Sequence, residues 1–389
     1  MNRLIPKPPI ENGKRAKLEA PNTGNRVPLD RIAIPFQKFL HSQTTAGALL
    51  IVTAVVALIW ANSPIGHTYG EFWHTKLTFG FGEHKITHDL HWWINEALMA
   101  LFFLLVGLEI KRELLVGELS SLRKSALPIA AAIGGVVVPA LIYISINIGK
   151  GTTHGWGIPM ATDIAFALGV LALLKSGVPT SAKVFLTALA IIDDILASLV
   201  IAIFYTDQID IASLICVVSI FVIMHSAGRI GLRHVAGYTF LGIALWIAML
   251  YSGIHPTLSG IFCAFAIPAG VRIDARGFIR ESRRLVDQFD DAGASGDNVL
   301  TNTNQRGTLA ELDVVLHQAQ TPLQQFEYAL HPWVSLLIMP LFALANAGVQ
   351  LNLDSTALMR PITMGVFFGL LLGKPIGIFG MSWLAVKLG

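Results

Sequence analysis

Two adjacent carboxylates, Asp193 and Asp194, lie near the middle of an apolar run from Val184 to Phe204. At roughly 1.5 Å per residue, a helix of that length crosses a hydrocarbon core of about 30 Å. One acidic residue at the centre of a spanning helix costs at least about 2.5–3.5 kcal/mol on insertion scales, so two together point to a binding task rather than to packing. Helical neighbours point about 100° apart, and the two carboxylates therefore cannot share a direction. Thr187, Asp194 and Ser198 fall on one face as a polar stripe, with Asp193 on its flank. A second polar break is Thr162-Asp163, just after Pro159. The proline removes a backbone donor and disfavours helix at Ile158. Backbone groups freed at membrane depth need partners from protein or water, which predicts an interrupted helix lining a cavity. A helix starting near Asp163 would aim its positive end at that carboxylate. Lys374, between Gly373 and Pro375, is the deep cation. Clustered carboxylates in low dielectric require protons or a bound cation. Carboxylate and hydroxyl oxygens suit hard alkali or alkaline-earth ions. A site that holds either H⁺ or a metal cation is the minimum equipment of an ion exchanger.

The elements that must position these residues are apolar and long. Among 389 residues only 14% are charged, and the mean hydropathy is +0.62. This predicts an all-α polytopic membrane protein. Ten spans are expected, at about 44–62, 92–110, 126–148, 157–174, 182–205, 211–227, 235–251, 255–270, 332–349 and 362–386. The segment 1–41 is polar, proline-bearing and basic, a disordered tail ahead of a transmembrane domain over 42–389. Between the first two spans, 72–89 alternates apolar and polar residues around Gly80 and Gly82, the pattern of a small external β-hairpin. The stretch 272–325 is a polar insertion with short helices expected near 276–289 and 308–319. Cys216 and Cys263 lie in apolar runs and read as packing residues. Of the 28 Lys and Arg residues, only Lys76, Lys85, Lys150 and Arg360 fall on one side, and Lys374 falls inside a span. The rest share the other side with both chain ends, which places those ends in the cytoplasm.

Longer motifs narrow the class. They are the run from Trp93 to Glu113 (containing Gly107-Leu-Glu109-Ile-Lys-Arg-Glu113), Ile158-Pro-Met-Ala-Thr-Asp163 continuing to Gly169, and Ala188 to Asp194. Ser252-Gly-Ile-His255, Leu330-His-Pro-Trp333, Pro340 to Gly348 and Gly373-Lys-Pro-Ile-Gly377 follow. In this order, from about Ser42 to the last residue, the chain resembles the bacterial NhaA-type Na⁺/H⁺ antiporters. The resemblance implies an inverted-repeat bundle with discontinuous helices. It implies a secondary active transporter, not an enzyme, that expels Na⁺ or Li⁺ across the bacterial inner membrane in exchange for protons, in pH and sodium homeostasis. Asp193 and Asp194 would hold Na⁺ and protons, Asp163 and Thr162 would line the helix crossing, and Lys374 would balance charge there. Glu109, Glu113, His255 and Glu327 match positions associated with pH response. The 72–89 hairpin matches the segment that joins two copies into a homodimer. No cofactor and no nucleic-acid partner are implied, only transported ions and the lipid bilayer. The family also has two spans beyond a tenth, so the inverted repeat is expected to be incomplete here, and this chain to insert without completing exchange. A transport-inactive sensor or assembly role, or a proton-conducting subunit of a redox complex, stands as the alternative.

Overall fold

The computed structural model describes residues 43–81, 84–162, 179–204, 210–293, 302–351 and 359–388. Helix α1 (Gln43–Ala61) ends at Asn62-Ser63-Pro64 and is followed by a short α2 (His67–Trp73). An antiparallel hairpin comes next, β1 (Lys76–Phe81) and β2 (His84–Asp89), with Lys76 opposite Asp89 and Phe81 opposite His84. Phe72 and Trp73 belong to α2, so the hairpin starts later than the alternation suggested. Asp89 then caps α3 (Leu90–Val116), accepting a hydrogen bond from the Trp92 amide. Helices α4 (Leu122–Asn147), α5 (Thr180–Phe204), α6 (Ile211–Ile230) and α7 (Val235–Ser252) follow. Glycines in the left-handed conformation, Gly231 and Gly253, stop α6 and α7 where a side chain would be strained. Among the described residues, six helices are long and apolar enough to cross a membrane: α3, α4 from Ser125, α6, α7 and two later ones, Pro322–Asn346 and Pro361–Leu388.

Two segments depart from the expected spans. Where a span over 255–270 was expected, only α8 (Leu258–Ala266) is helical, at 9 residues. That is far short of the twenty or so a crossing helix needs. The polar insertion forms α9 (Ala275–Ala292) and α10 (Thr303–Ala319), which pack on each other and enclose Leu285 and Val315. It also ends sooner than expected, because Thr321 and Gln324 form a reciprocal capping box with Pro322 in the first turn. That arrangement starts a helix decisively, so α11 runs from Pro322 to Asn346, ten residues earlier than the apolar run alone implied. The last helix is α12 (Pro361–Leu388). Widened π-helical turns interrupt α3 at Trp93–Leu98, α11 at Val334–Ile338 and α12 at Gly369–Gly373.

The packing that fixes α12 depends on glycine. Gly365, Gly369, Gly373 and Gly377 recur every fourth residue, so they share one face. A Cβ on Gly377 would meet the Gly134 carbonyl oxygen at 2.0 Å, and one on Gly373 would meet the Pro139 Cα at 2.9 Å. Backbones therefore touch along α4 and α12, a small-residue contact suited to helices that gain little from hydrophobic burial in lipid. A similar close approach joins α3 and α8, where a Cβ on Gly260 would meet the Ala100 carbonyl oxygen at 2.2 Å. The first of these contacts seats α12, which carries Lys374.

Candidate ion-binding site

The chain leading to the first polar break is a tight 3₁₀ stretch, Thr153–Met160, after which Ala161 is extended. The helix thus stops where Pro159 and the following residues predicted a break. Asp163 and the rest of the expected span to 174 lie outside the described residues. The freed carbonyls have a partner: Lys374 Nζ donates to the Met160 oxygen at 2.5 Å and to the Ala161 oxygen at 3.2 Å. The same ammonium donates to Thr162 Oγ1 and pairs with Asp193 Oδ2 at 2.8 Å. Thr162 Oγ1 in turn donates to Asp193 Oδ2. Lys374 is set here by the π-helical turn Gly369–Gly373 immediately before it. Such turns occur often at functional positions, since they offset a side chain from the regular helical face.

Two carbonyls, a hydroxyl and a carboxylate oxygen around one ammonium make an all-oxygen cage, the ligand chemistry of a hard cation. Asp193 is 3% exposed, and its Oδ1 is buried without a hydrogen-bond partner among the described residues. An unsatisfied buried carboxylate oxygen calls for an explanation, and a proton or a bound cation supplies one. Asp194 points elsewhere, as its rotation on the helix requires. It is half-buried and, with Thr162, lines a cavity of about 890 Å³ that is otherwise mostly apolar. Thr162 therefore touches both the lysine–aspartate cage and the cavity. The sequence pointed to Asp194 as the centre of the polar stripe, with Asp193 on its flank. The structure gives the flank position to the cage and the stripe position to the cavity.

The other expected residues form two further groups. Arg112 on α3 pairs with Glu327 on α11, and its Nη2 lies 3.6 Å from Glu113 Oε1. Glu109 is one turn away on the same face of α3 as Glu113. Its neighbour Lys111 turns the other way and caps α8, donating to the carbonyls of Phe265 at 2.7 Å and Ile267. Sequence reasoning missed that role. His255 lies apart from this cluster, with its Nδ1 3.6 Å from Glu96 Oε1. Glu96 and its neighbour Asn95 were visible only as parts of a motif, and Asn95 accepts a hydrogen bond from Asn346 at 3.0 Å.

A bundle of apolar helices that buries a carboxylate and an ammonium in an oxygen cage, beside a cavity holding a second carboxylate, defines a secondary ion carrier of the membrane. Residues 37–389 match the family described as Na⁺/H⁺ antiporter 1, and the chain belongs to that family. It is 46% identical over 363 residues to a Na⁺/H⁺ antiporter NhaA of Oleidesulfovibrio alaskensis, covering 93% of this chain and 81% of that protein. It is 44% identical over 376 residues to a Na⁺/H⁺ antiporter NhaA 1 of Saccharophagus degradans, covering 95% and 81%. A Na⁺/H⁺ antiporter NhaA of Sulfurimonas denitrificans is 44% identical over 362 residues, covering 92% and 81%. The resemblance carried by the sequence motifs is therefore borne out.

Proposed function

We propose, against the expectation that it inserts without completing exchange, that this chain exchanges Na⁺ or Li⁺ for protons across the bacterial inner membrane, with Asp193 and Asp194 as the ion- and proton-binding pair. The observation that carries the reading is the oxygen cage around Lys374 Nζ, with the unpartnered Asp193 Oδ1 at its edge. An alkali cation entering there competes with the ammonium for Asp193 Oδ2 and for the Thr162 hydroxyl. Two carboxylates, Asp193 and Asp194, stand against one ammonium in the site, and the surplus negative charge is met by H⁺ in one state and Na⁺ in the other. That mutual exclusion is the coupling an antiporter needs, provided the site opens alternately to the two sides. Asp163, outside the described residues, is assigned an ion-binding role with the pair in this reading. Glu109, Glu113, Glu327 and His255 set the pH response, supported by the convergence of two of them, Glu113 and Glu327, on Arg112. The distribution of Lys and Arg supports an orientation with both ends of this chain in the cytoplasm. The hairpin joins two copies, its exposed Leu77 and Phe79 being suited to a second copy of itself. A redox-complex subunit and a non-transporting sensor are disfavoured for a member of a family described as Na⁺/H⁺ antiporters.

The test is reconstitution of the full chain in proteoliposomes, driven by a Na⁺ gradient while internal pH is followed. Asp193→Asn and Asp194→Asn are each expected to abolish Na⁺-dependent proton movement. Normal exchange in both variants, at normal expression, would overturn the assignment.

A further inference from the structure

The cavity that Asp194 and Thr162 line is also lined by a second polar group: Glu96, Asn95, His255 and Asn346. These residues lie at a different depth. Glu96 is on the second turn of α3, about 10 Å below the base of the hairpin by helix rise, whereas Asp194 is mid-way along α5. Glu96 is held in place by an unusual backbone. It falls within the π-helical turn Trp93–Leu98, and its carbonyl accepts a hydrogen bond from Trp246 Nε1 at 3.1 Å. The same device sets Lys374 against Asp193 on α12. Asn95 is fixed on both sides, donating to the His91 carbonyl at 2.9 Å and accepting from Asn346.

The Glu96 side chain is poorly satisfied for a structural ion pair. Its Oε1 is 3.6 Å from His255 Nδ1, longer than the roughly 2.7–2.9 Å of a charge-assisted hydrogen bond. Its Oε2 is buried with no hydrogen-bond partner among the described residues. A pair kept for stability would close that distance and satisfy both oxygens. The two side chains also differ in access, 15% exposed for Glu96 and 43% for His255. The remaining titratable groups nearby are His91, reached through Asn95, and Asp194 across the cavity. Among the described residues, α1, α8 and α11 bring no charged side chain to the cavity, and no Lys or Arg lines it.

We propose that Glu96 and His255 form an outer proton station, which loads from the external solution and delivers protons through the cavity to Asp194. This rests on the antiport reading and its orientation. With one proton shared, the pair has no net charge whether it is written as carboxylate and imidazolium or as carboxylic acid and imidazole. That neutral state is the inexpensive one in a partly buried place. His255, the more exposed partner, takes a proton from outside water. Glu96 passes one inward, and Asp194 receives it as the metal cation leaves. Each transfer moves one H⁺ and restores the Glu96 carboxylate.

The experiment uses the full chain in proteoliposomes of one orientation, with outer and inner pH varied independently. Wild-type exchange is read first. Its absence would overturn the antiport reading and this inference with it. In Glu96→Gln, the rate at alkaline outer pH is expected to fall about tenfold or more, as for loss of a proton-transfer group. The response to inner pH and the half-saturating inner Na⁺ should stay within about twofold. Glu96→Asp should retain the outer profile. His255→Gln, which keeps a polar side chain of similar size, should displace the same outer profile and provides the reading if Glu96→Gln does not fold. An exchanging wild type whose variants keep its outer-pH profile, or change both faces equally, would overturn this inference alone.

Discussion

Truncating Lys374 to alanine removes the single group on which the site converges. Its ammonium pairs with Asp193 at 2.8 Å, with the two side chains 13% and 4% exposed, and it holds the Met160 carbonyl at 2.5 Å. Breaking a buried pair by removing one partner costs about 3–5 kcal/mol, since the other charge is left uncompensated. The Met160 carbonyl, on a residue 2% exposed, adds about 1 kcal/mol or more for a lost donor. Lys374→Ala is therefore expected to lower stability in detergent by about 4 kcal/mol or more, well above the effect of a typical substitution. The double variant Lys374→Ala/Asp193→Asn isolates the electrostatic part. Removing the stranded charge should recover most of the pair energy and leave about 1–2 kcal/mol for the carbonyl and lost packing. The assay is equilibrium unfolding of wild type, both single variants and the double variant. An unchanged melting temperature in Lys374→Ala would refute the burial of the pair. Strictly additive losses in the double variant would refute the coupling between Lys374 and Asp193.

Two further predictions concern packing and the hairpin. Gly134→Ala places a Cβ 2.1 Å from the Gly377 carbonyl oxygen, whereas Gly380→Ala meets nothing within 4 Å. The first should cost about 1–3 kcal/mol as overpacking and the second close to nothing, in the same unfolding assay. Asp89 accepts hydrogen bonds from His74 and from the Trp92 amide, which hold its carboxyl below the ordinary value of 3.8. A depressed value stabilises the fold when the group is ionised. This contribution is complete above the ordinary value and lost as pH falls through the lowered one. Hydrogen-exchange protection at the base of the hairpin should drop across that acidic window in wild type and not in Asp89→Asn. An identical profile in the two proteins would refute it.

Much of the architecture was legible in the chain because its causes are local. Apolar length marks a spanning helix, Pro159 breaks one, and alternation around Gly80 makes a hairpin. The one serious misreading of an element was the stretch over 255–270. Hydropathy there measures how apolar the residues are, but not whether the chain stays helical long enough to cross. The short α8 survives because Lys111 reaches its terminal carbonyls from another helix.

The candidate site divides in the same way. That two carboxylates sit mid-membrane and point about 100° apart follows from Asp193 and Asp194 being neighbours in a helix. Which of them meets the lysine does not follow. That choice depends on how α5 is rotated about its axis and where α12 packs. The rotation is set by many weak contacts, and α12 is seated by the glycine face that lets it touch α4. The link between Glu96 and His255 was equally invisible, because the two residues are far apart in sequence and meet only across the packed bundle. The sequence by itself determined the chemistry available at each depth of the membrane. The tertiary structure alone decided the pairings, because a helix's periodicity is written in its own residues, whereas its rotation and its neighbours depend on every other helix in the bundle.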